Sequence, residues 1–439
     1  MYKNSFRIFF MPARFSVLML LFFVFNTRSL FSQGTSQDIY SDYVLYQKRA
    51  RLDKDLRENI VAKTFNEKLD SNNEHKFESA CLAISQFLFD GSVIKSGFNQ
   101  LFTGYEWLQP ETRRSFLEAV YAVYPDEYYK NIKSIFLNES EPILFAMAAA
   151  YLLRKDTVTD NRNDLKIAMV EKFPEYDSID VLVELERYIN SYSPGNRKKS
   201  PDITRLFEHQ QMVGRKVIYS LQRWNRDYPG LAVIQHANGR FARDANGRLL
   251  VFQQLARSAS DLPYFITNGS TPQGVFSLQG TAVSRINWIG PTPNLQMTMP
   301  FEDSWDRYFH QPLVPGQDSM LQYRQLLPNS WRSYAPMMEA WYAGKTGRSE
   351  IIAHGTTIDP EYYAGKPFYP LTPTMGCLCA REQWNVTTGR LLMSEQYGLV
   401  STYSASPGKN GYLYVINVDD QQKAVTREEV EKWVKAFER

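Results

Sequence analysis

Cysteine and histidine are scarce in this chain of 439 residues: three cysteines, Cys81, Cys377 and Cys379, and five histidines. So few cysteines exclude a disulfide scaffold, and their odd number leaves at least one thiol unpaired within a monomer. An excess of one charge is missing as well, with 50 Lys and Arg against 47 Asp and Glu. Long apolar runs are absent too. The run near the start, FSVLMLLFFVF from Phe15 to Phe25, stops at eleven residues, short of the ~20 that cross a bilayer as a helix. What is present is a 44% hydrophobic, 22% charged composition, enough to bury a sizeable core in roughly two or three domains.

Residues 1–33 read as an export signal: a basic start, the apolar run, then small and polar residues around Ser29 and Ser32. An uncleaved anchor is the alternative. No cysteine follows the run, so a lipid-anchored form is not indicated, and no transmembrane span is expected after processing. Losing the four bases Lys3, Arg7, Arg14 and Arg28 takes the formal charge from +3 to −1. A mature chain so close to neutral has no global attraction for nucleic acid. The expected location is the periplasm or cell envelope.

From 38 to 192 the pattern is helical. Phe116, Val120 and Val123 form one face, with Leu117, Tyr121 and Tyr124 beside it. In SEPILFAMAAAYLLR, Ser140 can cap a helix and Pro142 fits its first turn; the segment is apolar nearly all round, so it should be buried between helices. The aromatic-Pro-acid turns at Tyr124–Tyr128 and Phe173–Tyr176, 49 residues apart, suit stacked helix pairs of a repeat-like domain. SPGNRKKSP, Ser193 to Pro201, breaks every period and reads as a linker, followed by a short helix, over 193–212. Its basic triplet could touch an anionic polymer, and a solvated linker is the simpler reading. From 213 to 425 the texture is mainly β, as in KVIYSLQRW, GLAVIQHANGR and GRLLVFQQLAR, with a helical insertion over Gln311–Ser349. A last helix occupies 426–439.

Three segments of the β half carry chemistry. TPQGVFSLQG, Thr271 to Gly280, is a turn entering a strand. IIAHGT, Ile351 to Thr356, delivers His354 at a strand end. TPTMGCLCAR, Thr372 to Arg381, places Gly376 before Cys377, where backbone can approach a ligand and two adjacent N–H groups can face an oxyanion. An imidazolium beside a thiol lowers its pKa and makes a nucleophile and base pair. The plainer readings are a structural histidine and a buried apolar cysteine. Cys377, Cys379 and His354 could also supply three zinc ligands, but C-x-C spacing without a second pair argues against a metal. Trp288, Phe301 and Trp305 are core residues unless the fold sets them beside Cys377.

TPQGVF, MPFEDSW, HGT and TMGC, in that order, resemble the catalytic domain of L,D-transpeptidases, the YkuD-type enzymes of bacterial cell walls. The resemblance covers roughly residues 222–418. It implies that Cys377 is the nucleophile, His354 its base, Gly355 the carbonyl that orients His354, and the N–H groups of Gly376 and Cys377 the oxyanion donors. Thr374 stands at the family's Ser or Thr position. Met375 replaces a His of the family motif and Cys379 replaces an Arg or Asn, so Arg381 is the candidate substitute cation.

The expected architecture is therefore multidomain: an N-terminal all-α helical-repeat-like domain, then a mainly β YkuD-like domain with a helical insertion. The resemblance implies peptidoglycan stem peptides as substrate and acyl transfer through a thioester at Cys377, with no metal or organic cofactor. Hydrolysis of the same bonds by a carboxypeptidase or endopeptidase, and a decayed domain serving as a scaffold, are the alternatives. An envelope protein is a possible partner of the helical domain.

Overall fold

The computed structural model describes residues 38–154, 160–192, 199–313 and 316–439. The export signal and most of the linker lie outside the described residues. Among the described residues no helix is long and apolar enough to cross a membrane. The chain has a helical N-terminal part followed by an eight-stranded mixed sheet closed into a barrel.

The helical part comprises α1 (Tyr46–Lys54), a π-helical continuation over Asp55–Ala62, α2 (Lys63–Asn66), α3 (Glu74–Phe87), α4 (Ser92–Gly104), α5 (Pro110–Val123), α6 (Tyr129–Asn138), α7 (Pro142–Arg154), α8 (Asp160–Lys172) and α9 (Asp180–Ser191). The aromatic-Pro-acid segments do form the turns after α5 and α8. Helix α7 begins at Pro142 and is buried on every side from Leu144 to Leu153, as an all-round apolar helix must be. Just before it, the carboxylate of Glu139 accepts the N–H groups of Ser140 and Glu141, each at 2.9 Å. A carboxylate at a helix N-terminus satisfies free donors and meets the positive end of the dipole.

After α10 (Thr204–Val213) come β1 (Lys216–Arg223), β2 (Gly230–Gln235), β3 (Phe252–Leu255), β4 (Gly274–Ala282), β5 (Asn294–Thr298), β6 (Ala353–His354), β7 (Leu378–Ala380), the hairpin β8 (Glu382–Trp384) and β9 (Leu391–Ser394), and β10 (Asn410–Asp419). The barrel order is β1-β10-β4-β5-β6-β7-β3-β2. It is closed by β1, which pairs in parallel with β10 and antiparallel with β2. Strand β1 is buried along its whole length, which is why KVIYSLQR shows no alternation. Val217, Tyr219 and Leu221 face one core with Phe207 of α10 and Trp331, Tyr323 and Trp341 of the insertion. Ile218 faces a second core with Phe276, Leu295 and Leu399. After α11 (Trp305–Phe309) the insertion is helical, with α12 (Ser319–Gln325), α13 (Asn329–Arg332) and α14 (Glu339–Lys345). Helix α15 (Glu395–Ala405) covers the second core, and α16 (Arg427–Phe437) packs on α10.

The two parts share one core. Residues 256–271 leave the barrel after β3, and Leu262, Phe265 and Ile266 are buried among the helices with Phe87, Leu117 and Leu185. Asn268 donates to Glu118 at 2.9 Å, and the Tyr264 hydroxyl donates to Glu184. At the other side, residues 39–46 clasp the β8–β9 hairpin: Ser41 N–H donates to Gly389 O and Leu391 N–H to Ile39 O. Val44, Trp384 and Leu391 form a small core there. The described residues accordingly form one compact unit.

Candidate active site

Strands β6 and β7 run side by side and parallel, with Ala353 opposite Leu378 and His354 opposite Cys379. Paired residues share a face and successive residues alternate, so Ala353 and Leu378 enter the second core while His354 and Cys379 occupy the other face. Cys377 stands in the bend just before β7, which Leu378 N–H ties to Ile352 O at 3.0 Å. The 23 positions that separate His354 from Cys377 in the chain are spent on the loop 355–376, which packs Tyr363, Phe368 and Leu371 on Leu255 of β3.

Other segments close around Cys377. Thr271 of the TPQGVF turn donates its hydroxyl to Gly376 O at 2.8 Å. Thr374 donates to Cys377 O at 2.8 Å and accepts the Gly376 N–H at 3.1 Å. From the MPFEDSW segment, the Glu302 carboxylate accepts the N–H groups of Met299 and Glu350 at 2.9 and 2.7 Å. Glu350 has φ +62°, a conformation costly for a non-glycine residue, and its carbonyl is the acceptor of the Cys377 thiol at 3.5 Å. Cys377 Sγ also accepts the Ile352 N–H at 3.5 Å.

The imidazole is held at the other end of β6. His354 Nδ1 bonds Gly355 O, an arrangement that puts a proton on Nδ1 and leaves Nε2 as the basic nitrogen. Behind it, the buried Glu382 accepts Thr356 N–H at 2.8 Å and Ser394 Oγ–H at 2.6 Å. A Cβ on Gly355 would overlap the Glu382 carboxylate. That close approach is why glycine follows the histidine.

Two features differ from the expected pair. The thiol's hydrogen-bond partners, Glu350 O and Ile352 N–H, come just before β6 and the imidazole's, Gly355 O, just after it, and among the described residues no bond joins thiol and imidazole. Nor is there a thiolate–imidazolium pair. Burial lowers His354 to about 4 and raises the Cys377 thiol to about 11, so both groups are neutral at pH 7. In addition, the Gly376 N–H is already taken by Thr374, so one of the two anticipated oxyanion donors is engaged.

Arg381 lies beside Glu395 and Tyr369, whose titrations it influences. The cation beside Cys377 is Arg348, in the turn between α14 and β6. Sequence reasoning missed it. Cys81 and Cys379 are fully buried free thiols raised well above the ordinary range by burial. Among the described residues no three His, Cys, Asp or Glu side chains group closely enough to hold a metal ion. Trp288 packs at a tilt on Phe87 of α3, Phe301 meets Trp341 edge-on and Trp305 stacks on Trp341, so all three are held in aromatic clusters.

No known relative decides among these readings. No family model matches the chain, and no curated protein and no solved structure is similar to it.

Proposed function

We propose that the chain is an exported, cysteine-dependent acyltransferase of the L,D-transpeptidase type, with the barrel as a YkuD-type catalytic domain acting on peptidoglycan stem peptides. One observation supports this reading above the rest: four segments far apart in sequence meet around one loop, with Thr271 bonded to Gly376, Glu302 to Glu350, and His354 paired with Cys379, two residues past Cys377.

The chemistry starts from neutral groups. Rotation of the Cys377 side chain off Glu350 O brings Sγ toward His354 Nε2. As the sulfur bonds to the stem-peptide carbonyl carbon, its proton passes to Nε2. The C–N bond then breaks, the imidazolium returns the proton to the leaving D-alanine, and a thioester remains. A side-chain amine on a second stem attacks that thioester; the C–S bond breaks, His354 passes the amine proton to the departing sulfur, and a cross-link and the free Cys377 thiol result. The Cys377 N–H faces the developing oxyanion. Gly355 O and Glu382 hold the imidazole and its turn. We place the protein in the periplasm or envelope, with the helical part as a repeat-like stack that presents a surface to another envelope protein.

Mass spectrometry after incubation with a carbapenem tests the reading. A single adduct on Cys377, lost in Cys377→Ser and slowed at least tenfold in His354→Ala, is the expected result. No adduct on the folded protein would overturn it in favour of a non-catalytic scaffold.

A further inference from the structure

Arg348 is 5% exposed, and burying a guanidinium without a carboxylate is costly. Its hydrogen-bond acceptors are three main-chain carbonyls: Tyr264 O and Ser270 O take Nη1, and Gly269 O takes Nη2 at 2.8 Å. These carbonyls compensate the donors and leave the net charge in place. On its other side the guanidinium lies against the loop that bears the thiol: a Cβ on Gly376 would overlap Nη2. Gly376 adopts φ +118°, so glycine is needed there both for the backbone and for the cation.

We propose that Arg348 is a positioning residue for Cys377: a buried cation, held without a counterion among the described residues, whose compensating negative charge is the one that develops on Cys377 Sγ as its proton leaves. The inference rests on the reading of Cys377 as a nucleophile. It supplies the positive charge that the occupied Gly376 N–H and the distant Arg381 do not. The other charged groups facing the thiol are Glu302 and Glu350, and both oppose an anion there. Arg348 is what offsets them. Its three carbonyl acceptors belong to residues 264–270, the stretch anchored in the helical core, so the helical part fixes the position of the cation.

The test uses the pH profile of iodoacetamide alkylation at Cys377, followed by peptide mass spectrometry on the full chain. In Arg348→Met the midpoint should rise and the rate at pH 8 should fall about tenfold, a displacement of one pH unit in thiolate formation. Arg348→Lys, which keeps the charge, should lie between that variant and the parent. A folded Arg348→Met protein with an unchanged profile would overturn the proposal. A second comparison leaves Arg348 intact. Cys377→Asp should unfold at a temperature equal to or above that of Cys377→Asn at pH 8, whereas a clearly lower temperature would overturn the proposal, because it would mean that an anion at 377 is repelled. Neither measurement involves acyl transfer. A Cys377 that answers to Arg348 yet forms no carbapenem adduct would sink the proposed reaction and leave this inference standing, and the reverse outcome would do the opposite.

Discussion

The helical and barrel parts bury apolar side chains by different routes, and their buried polar groups do different things. In the helices, burial follows stripes and aromatic clusters such as Phe65–Phe77 and Phe98–Phe116. Many of the polar groups sealed inside that part point outward to the barrel: Glu118 to Asn268, Glu184 to Tyr264, Gln86 O to Tyr363. In the barrel, strands are buried on both faces, and the polar groups Thr271, Arg348, Thr374 and Glu382 converge on the Gly376–Cys377 and His354–Gly355 segments. Arg49 of α1 also bonds Thr357 O at 3.1 Å, two residues past Gly355. The helical part thus grips the two stretches that flank the chemistry, 256–271 and 357–363. The lesson is that a region without a reactive group can still set a site's geometry, because it holds the backbone on which that site is built.

The comparison breaks most visibly at Phe265, a barrel-loop residue in the helical core. Phe265→Ala should cost about 3–5 kcal/mol, and both parts should unfold together in urea when followed by far-UV circular dichroism and tryptophan fluorescence. Two separate transitions would mean that the parts are independent. Next in size is Gly355→Ala, where the added methyl meets Glu382. Displacing the imidazole by about 1 Å should slow carbapenem acylation roughly a hundredfold, while iodoacetamide labelling of Cys377 stays close to that of the parent.

A third contrast concerns pH. Burial raises Glu184 at the seam, Glu339 in α14 and Glu382 in the barrel to about 7. Between their ordinary range and pH 7 the folded state therefore holds more protons than the unfolded chain, so stability falls as pH rises. His354, lowered to about 4, acts in the opposite sense, because protonating it below its ordinary value costs stability. Burial also lowers His209, His236 and His310 and raises Glu78, Glu118, Glu302 and Glu395, so seven raised carboxyls outweigh four lowered imidazoles. The melting temperature should fall from pH 5.5 to 7.5, and Glu184→Gln should flatten that slope; a rising melting temperature over this window would reverse the assignment. The smallest effect is remote from both regions' contact. Thr426→Ala removes the capping box of α16 and should cost about 1 kcal/mol, with Cys377 labelling unchanged.

Much of the architecture is written locally. Pro142 and the apolar run after it mark α7, β-branched residues mark β1 and β2, and Thr426 with Glu429 marks the start of α16, because caps, turns and periodicity act over a few residues. The site is only partly legible. HGT and TMGC are visible as motifs, but the parallel register that sets His354 opposite Cys379 depends on the excursion over 355–376, whose path no short pattern records. Arg348 was hidden because a basic residue in GKTGRSE reads as a solvated turn. Its burial is imposed by three distant carbonyls. A usable signal lay in DLPYFITNGS, where Leu262, Phe265 and Ile266 put three apolar side chains into a turn-rich stretch, a sign that this loop is inserted into another core.

The barrel's closing seam joins strands from opposite ends of its sequence, with Lys216 beside Asn410 and Gln222 beside Asn417. A ribosome making this chain releases β1 long before β10 exists, so for most of synthesis the first strand has an open edge. Such non-local pairing is slow to form, and unpaired edges invite association. Chaperones that bind extended, unfinished strands would find their target in that interval, and the barrel around Cys377 would close only when the final tenth of the polypeptide arrives.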